Sequence, residues 1–235
     1  ITGILPDENI YCYGGNFFYN LTINREPGNQ STIASGDALT IKNNLNILSG
    51  IFNSWYSDIL VGGNWTNNVG PDGFVENENE VWFYGETYSH IYTDETFYDL
   101  YIFDYLTDNG NGKGARIVDE TYIEDGITVN ATNNCRILGG SLNMGSNSVL
   151  NVDNSLIFNG GQLIVPDMTA AEIFVGANYE NYNPGQAFFP GHSTFTFDGL
   201  ADQNVTSNAP IEYFYNLVIN NPGNLIVFDA NTLVY

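Results

Sequence analysis

One pattern of seven residues occurs three times in this chain, and it limits the available folds more than any other feature. Phe18-Tyr19-Asn20-Leu21-Thr22-Ile23-Asn24 returns as Phe97-Tyr98-Asp99-Leu100-Tyr101-Ile102-Phe103, and again as Phe214-Tyr215-Asn216-Leu217-Val218-Ile219-Asn220. Pro27-Gly28-Asn29 follows the first copy, and Pro222-Gly223-Asn224 follows the third. The residues leading into the later copies also match, Val81-Trp82-Phe83-Tyr84-Gly85 against Phe195-Thr196-Phe197-Asp198-Gly199. Self-similarity of this kind is the mark of a repeat architecture. The copies are unevenly spaced, which predicts an insertion or extra turns of the same architecture in the second unit. The whole of 1–235 is expected to be a single repetitive domain.

A finer rhythm runs between these marks. Leu39-Thr-Ile41, Leu45-Asn-Ile47, Ile127-Thr-Val129, Leu142-Asn-Met144 and Leu163-Ile-Val165 are short apolar alternations, the period of half-buried strands. Gly62-Gly63, Asn43-Asn44, Asn133-Asn134 and Gly160-Gly161 punctuate them with residues that tolerate tight turns. No stretch carries a 3.6-residue apolar period, and Pro166 to Val175 allows one helical turn at most. The expected class is therefore all-β. Asp72-Gly73, Asn159-Gly160 and Asp198-Gly199 are hairpin dipeptides that keep a β-sandwich open as an alternative. The recurring strands, asparagine-rich corners and scarcity of charge within strands favour a parallel β-helix, a solenoid in which like residues form ladders along the axis.

Charge narrows the function. Five basic side chains face 27 acidic ones, a net charge of -22, which repels phosphate backbones and excludes nucleic acid as a partner. With so few Lys and Arg, polarity falls to Asn, Thr, Ser and Gly, and the chain has 34 asparagines. That composition suits a secreted or cell-surface β protein. No apolar run is long enough to span a membrane, and no basic-plus-apolar leader is present, as in a mature chain or a segment of something longer. For Cys12 and Cys135, a disulfide and two isolated buried thiols both fit the sequence.

The succession Leu45-Asn-Ile47, Leu60-Val61-Gly62-Gly63-Asn64-Trp65-Thr66-Asn67, Val81-Trp82-Phe83-Tyr84-Gly85 and Phe97-Tyr98-Asp99-Leu100 resembles the repeat of large bacterial extracellular surface and adhesin-like proteins of the Bacteroidota type. The resemblance covers about 18–103 and part of 195–228. It implies a right-handed parallel β-helix carried outside the cell, with a structural or adhesive role and no catalytic residues.

Candidate sites are few. Glu76, Glu78 and Glu80 alternate, and on a strand their carboxylates would share one face as a calcium site or acidic stripe; a solvated loop is the plainer reading. Asp104 and Asp108 lie in a second acidic segment with oxygens at loop spacing, a further calcium candidate that matches neither the twelve-residue helix–loop–helix calcium pattern nor the nonapeptide calcium repeat. Tyr179 and Tyr182, in Asn178-Tyr-Glu-Asn-Tyr-Asn-Pro-Gly185, read as exposed loop aromatics able to stack on sugar faces. His90 and His192 have no second ligand at metal spacing, and no nucleophile elbow, phosphate loop or dinucleotide fingerprint occurs. The expected protein is a non-enzymatic extracellular adhesive or filament-forming module, partnered end to end by its own kind or by other surface and matrix components, with calcium as the candidate cofactor. A polysaccharide-binding or polysaccharide-degrading β-helix is the alternative.

Overall fold

In the computed structural model the described residues are 2–3, 7–13, 15–34, 37–85, 88–103, 120–222, 224, 226–229 and 231–235. Asp104 and Asp108, with the acidic segment around them, lie outside these residues.

The chain winds as a parallel β-solenoid with three strands to a coil. Its first face has nine strands and its third face ten; the second is divided into a four-stranded and a six-stranded sheet. A two-stranded sheet, Glu212–Phe214 with Thr232–Val234, follows the first face near the end of the stack. Strands adjacent in a sheet are separated in sequence by one full coil, as in Leu60 opposite Trp82 and Arg136 opposite Ile157. Every pairing among the described residues is parallel, which excludes the β-sandwich. One 3-10 turn, Pro71–Gly73, is the only helical element among them.

Period-two alternation selects what enters the core. In Ile59–Val61 the two ends are buried and Leu60 faces out; Leu156–Phe158 behaves alike, as do Leu45, Asn46 and Ile47 within Leu45–Ser49. The inward residues form one continuous column of Leu, Ile, Val and Phe. Cys12 and Cys135 are both buried and are not joined by a disulfide, so of the two readings the structure selects two separate buried thiols. Burial pushes the Cys135 thiol up to about 12, with the charge of Asp99 adding to the shift, and so keeps it unreactive.

Corners are closed by side chains that replace missing backbone partners. Along one edge Asp99 accepts the Asn134 amide N–H at 2.9 Å, Asn134 accepts that of Ser155 at 3.3 Å, and Asn178 accepts that of Asn204 at 2.9 Å. On another edge Asn20 accepts the Asn44 N–H and Asn44 accepts the Asn64 N–H. These ladders explain why asparagine clusters at the turns.

The threefold sequence motif proves to be a corner motif. Its Phe ends one strand, its Tyr turns outward, and its Asn or Asp starts or precedes the next strand. The three copies occupy three different corners: third face to first at 18–21, second to third at 97–99, and first to second at 214–216. Their uneven spacing therefore reflects a change of corner and is not a fixed number of whole coils.

Two of these corners hold a buried acid. Glu95, wholly buried, accepts Trp65 Nε1–H at 2.7 Å, Asn67 Nδ2–H at 2.9 Å and the Thr96 amide at 3.0 Å. Glu212, equally buried, accepts the Tyr179 hydroxyl at 2.8 Å, Asn181 Nδ2–H at 2.6 Å and the Ser207 hydroxyl. An aromatic donor, an asparagine two residues on, and a Glu two residues before the motif's Phe make the same arrangement twice, turned by one face of the solenoid.

Candidate functional site

The third face carries a groove on its outside. In register across neighbouring coils its outward positions are Thr40, Leu60, Trp82, Tyr101 and Arg136. A parallel sheet brings these side chains to one strand spacing from one another, so aromatic residues at successive coils are forced into contact. Trp82 and Tyr101 stack with centroids 4.1 Å apart and planes 13° from parallel. Phe103 meets the Trp82 ring edge-on at 5.7 Å.

Glu80, the first residue of the same strand as Trp82, ties the pair together. Its Oε2 accepts Trp82 Nε1–H at 2.8 Å and its Oε1 accepts the Tyr101 hydroxyl at 3.0 Å. Burial, the bond to Glu80 and the charge of Glu80 raise the Tyr101 phenol to about 12; it stays a donor to Glu80 at any ordinary pH. Both polar ends of the aromatic pair face the carboxylate, which fixes the rings at the edge of the groove that Trp82 helps line.

The groove has a volume of about 940 Å³ and is lined by Tyr19, Thr40, Lys42, Asn43, Asp58, Leu60, Trp82, Tyr84 and Phe103 among others. Lys42 Nζ lies 3.6 Å over the Phe17 ring. Gly62 and Gly85 also border it. A Cβ at Gly85 would fall 2.4 Å from the Gly62 carbonyl oxygen, so successive coils approach this closely here only without a side chain.

The sequence candidates fare unevenly. Glu76, Glu78 and Glu80 do not share a face: Asn77 and Glu78 form a left-handed turn, with φ of 49° and 61°, which separates Glu76 at the end of one face from Glu80 at the start of the next. The alternation is a corner, because Asn-Glu-Asn accepts the turn more readily than a strand. Glu80 alone joins a site, and there it serves aromatic rings. Among the described residues no group of three or more His, Cys, Asp or Glu side chains is placed to hold a metal ion.

Tyr179 is a correction. It is fully buried in the strand Tyr179–Asn181, its ring against Phe158, Phe195 and Phe214, because the turn-forming residues around it disguise an in-out alternation. Tyr182 is 53% exposed and donates to Glu180 at 2.8 Å; nothing gathers around it. His90 stacks between Tyr92 and Tyr122 and meets Glu124 at 2.5 Å, and His192 stacks on Tyr215.

Sequence reasoning missed the Trp82–Tyr101–Glu80 unit. Each residue sits in an alternation visible in the sequence, but the pairing depends on which residues of successive coils come opposite each other. No family model, curated protein or solved structure matches the chain.

Proposed function

We propose that this protein is a non-enzymatic extracellular scaffold that adheres to neutral polysaccharide through the groove on its third face. The observation that carries the reading is the Trp82 ring, held by Tyr101 and Glu80 and turned toward a groove edged with Lys42, Asn43 and Asp58. A rigid aromatic face suits the apolar C–H face of a sugar ring, and amide, ammonium and carboxylate groups around it suit its hydroxyls. Binding fits this arrangement better than hydrolysis, since both oxygens of Glu80 are engaged by ring donors and Asp58 accepts the Glu80 amide at 3.1 Å. The net charge of -22 favours uncharged glycans over uronate or sulfate polymers.

Native gel electrophoresis through gels containing soluble β-1,4-glucan, xylan or mannan tests this. The expected result is retardation of the protein by at least one of them and normal migration of Trp82→Ala. Unchanged migration of the wild type in every gel would overturn the reading.

A further inference from the structure

A second aromatic shelf stands one corner away from the groove. The outer side of the four-stranded sheet presents Asn9, Thr32 and Asn53 in register. Beside them Trp55 and Tyr56, 49% and 74% exposed, rise from the corner with rings edge to face at 5.4 Å. They wall a depression of about 490 Å³ with Asp7, Asn9, Gln30 and Thr32.

Trp55 occupies an unfavourable backbone. Its φ is 54°, in the left-handed region that a bulky residue rarely enters. One coil later, Asn53 pairs with Val75, so the place of Trp55 falls to Asn77, at φ 49°. The corner thus demands a left-handed residue in both coils. The later coil meets it with asparagine, which tolerates the conformation, whereas this one uses an exposed tryptophan. The ring is half exposed and its ring contact is with its equally surface-placed neighbour Tyr56, so core packing does not call for it. The corner is also pinned: Asn53 accepts the Trp55 amide at 2.8 Å, and Asn79 Nδ2 donates to the Trp55 carbonyl at 2.6 Å. Strain kept in a fixed corner that displays an aromatic ring points to use of that ring.

The loop bearing Trp55 and Tyr56 continues to Asp58, which lines the groove. From Tyr56 to Asp58 the chain spans at most about 7 Å. We infer that the Trp55–Tyr56 shelf and the Trp82 groove are two stretches of one track, and that the ligand is a polysaccharide chain bent around this edge. This rests on the groove binding neutral glycan. Amide and hydroxyl groups, with Asp7 the one charge, line the shelf, in keeping with an uncharged polymer. Two linked stretches bind a long chain far more tightly than a short one, because the second contact becomes intramolecular.

Calorimetry with whichever of β-1,4-glucan, xylan or mannan retards the protein, and with its disaccharide, tests the track. Trp55→Asn supplies the residue that the next coil uses. It is expected to raise the melting temperature, to weaken polymer binding by about tenfold or more, and to leave disaccharide binding unchanged. Polymer affinity equal in Trp55→Asn and wild type, with Trp82→Ala still defective, would overturn the track and leave the groove standing. A wild type that binds none of the three polymers would overturn both.

Discussion

The coils up to residue 103 and those from 120 to 214 share an interior but not an exterior. Inside, each has a buried Glu held by an aromatic donor and an asparagine, Glu95 with Trp65 and Asn67, Glu212 with Tyr179 and Asn181. Outside, the first region exposes Tyr13, Tyr19, Trp55, Tyr56, Tyr88 and Tyr92 among others. In the second, Tyr182 is the sole exposed aromatic among the described residues. Outward positions on one ladder make the contrast plain: Leu60, Trp82 and Tyr101 give way to Arg136, Ile157 and Glu180. The solenoid needs its interior everywhere. Exposed aromatic side chains do little for folding, and their concentration in one region is the contrast on which the proposed binding role rests.

If the interiors are equivalent, removing either acid should cost the same. Glu95→Ala and Glu212→Ala are each expected to lower stability by about 3 kcal/mol, since each leaves buried donors without an acceptor. Chemical denaturation measures this, and a loss confined to one of them would break the comparison. Each variant is also expected to leave polysaccharide binding intact in the fraction that stays folded.

A pH series sharpens the same point. Burial raises the Glu95 carboxyl to about 8, against the downward pull of the Asn67, Thr96 and Trp65 bonds. Its folded value lies above its unfolded one, so its stabilising contribution is complete below about 4.5 and is lost as pH rises through about 8. The melting temperature is expected to fall by about 5–10 °C from pH 5 to pH 9. In Glu95→Gln, neutral at every pH, that fall should flatten. A melting temperature that climbs over this range in the wild type would contradict the assignment.

On the outside the regions should respond differently. Trp82→Ala is expected to weaken polysaccharide binding about thirtyfold, the effect of losing a central aromatic anchor of about 2 kcal/mol. Ile157→Ala, on the same ladder in the second region, should not change it. Smallest of all, Tyr182→Ala should alter stability by less than about 0.5 kcal/mol and binding not at all. A binding defect in Tyr182→Ala would extend the site into the region read here as plain scaffold.

Much of the fold was legible in advance because its causes are local. Alternations such as Leu39-Thr-Ile41 state which side chains go in, and Asn43-Asn44 and Asn133-Asn134 state where the chain turns. The parallel solenoid follows from these. The threefold motif misled on spacing because it encodes a corner, and any of the three corners accepts it. Tyr179 misled because Asn, Pro and Gly nearby signal a turn that starts only after Asn181. The candidate site was the least legible part. Trp82 meets Tyr101, and Trp55 takes the place that Asn77 holds one coil later, only through coil length, and coil length is set by the whole stack.

The central claim is that a sugar ring rests on Trp82. A crystal structure of the protein soaked with an oligosaccharide of the polymer that retards it in gels tests this most directly. The account predicts a pyranose ring stacked on Trp82, with hydroxyls toward Lys42, Asn43 and Asp58. Well-ordered sugar elsewhere on the solenoid, with the groove beside Trp82 holding only water, would contradict it.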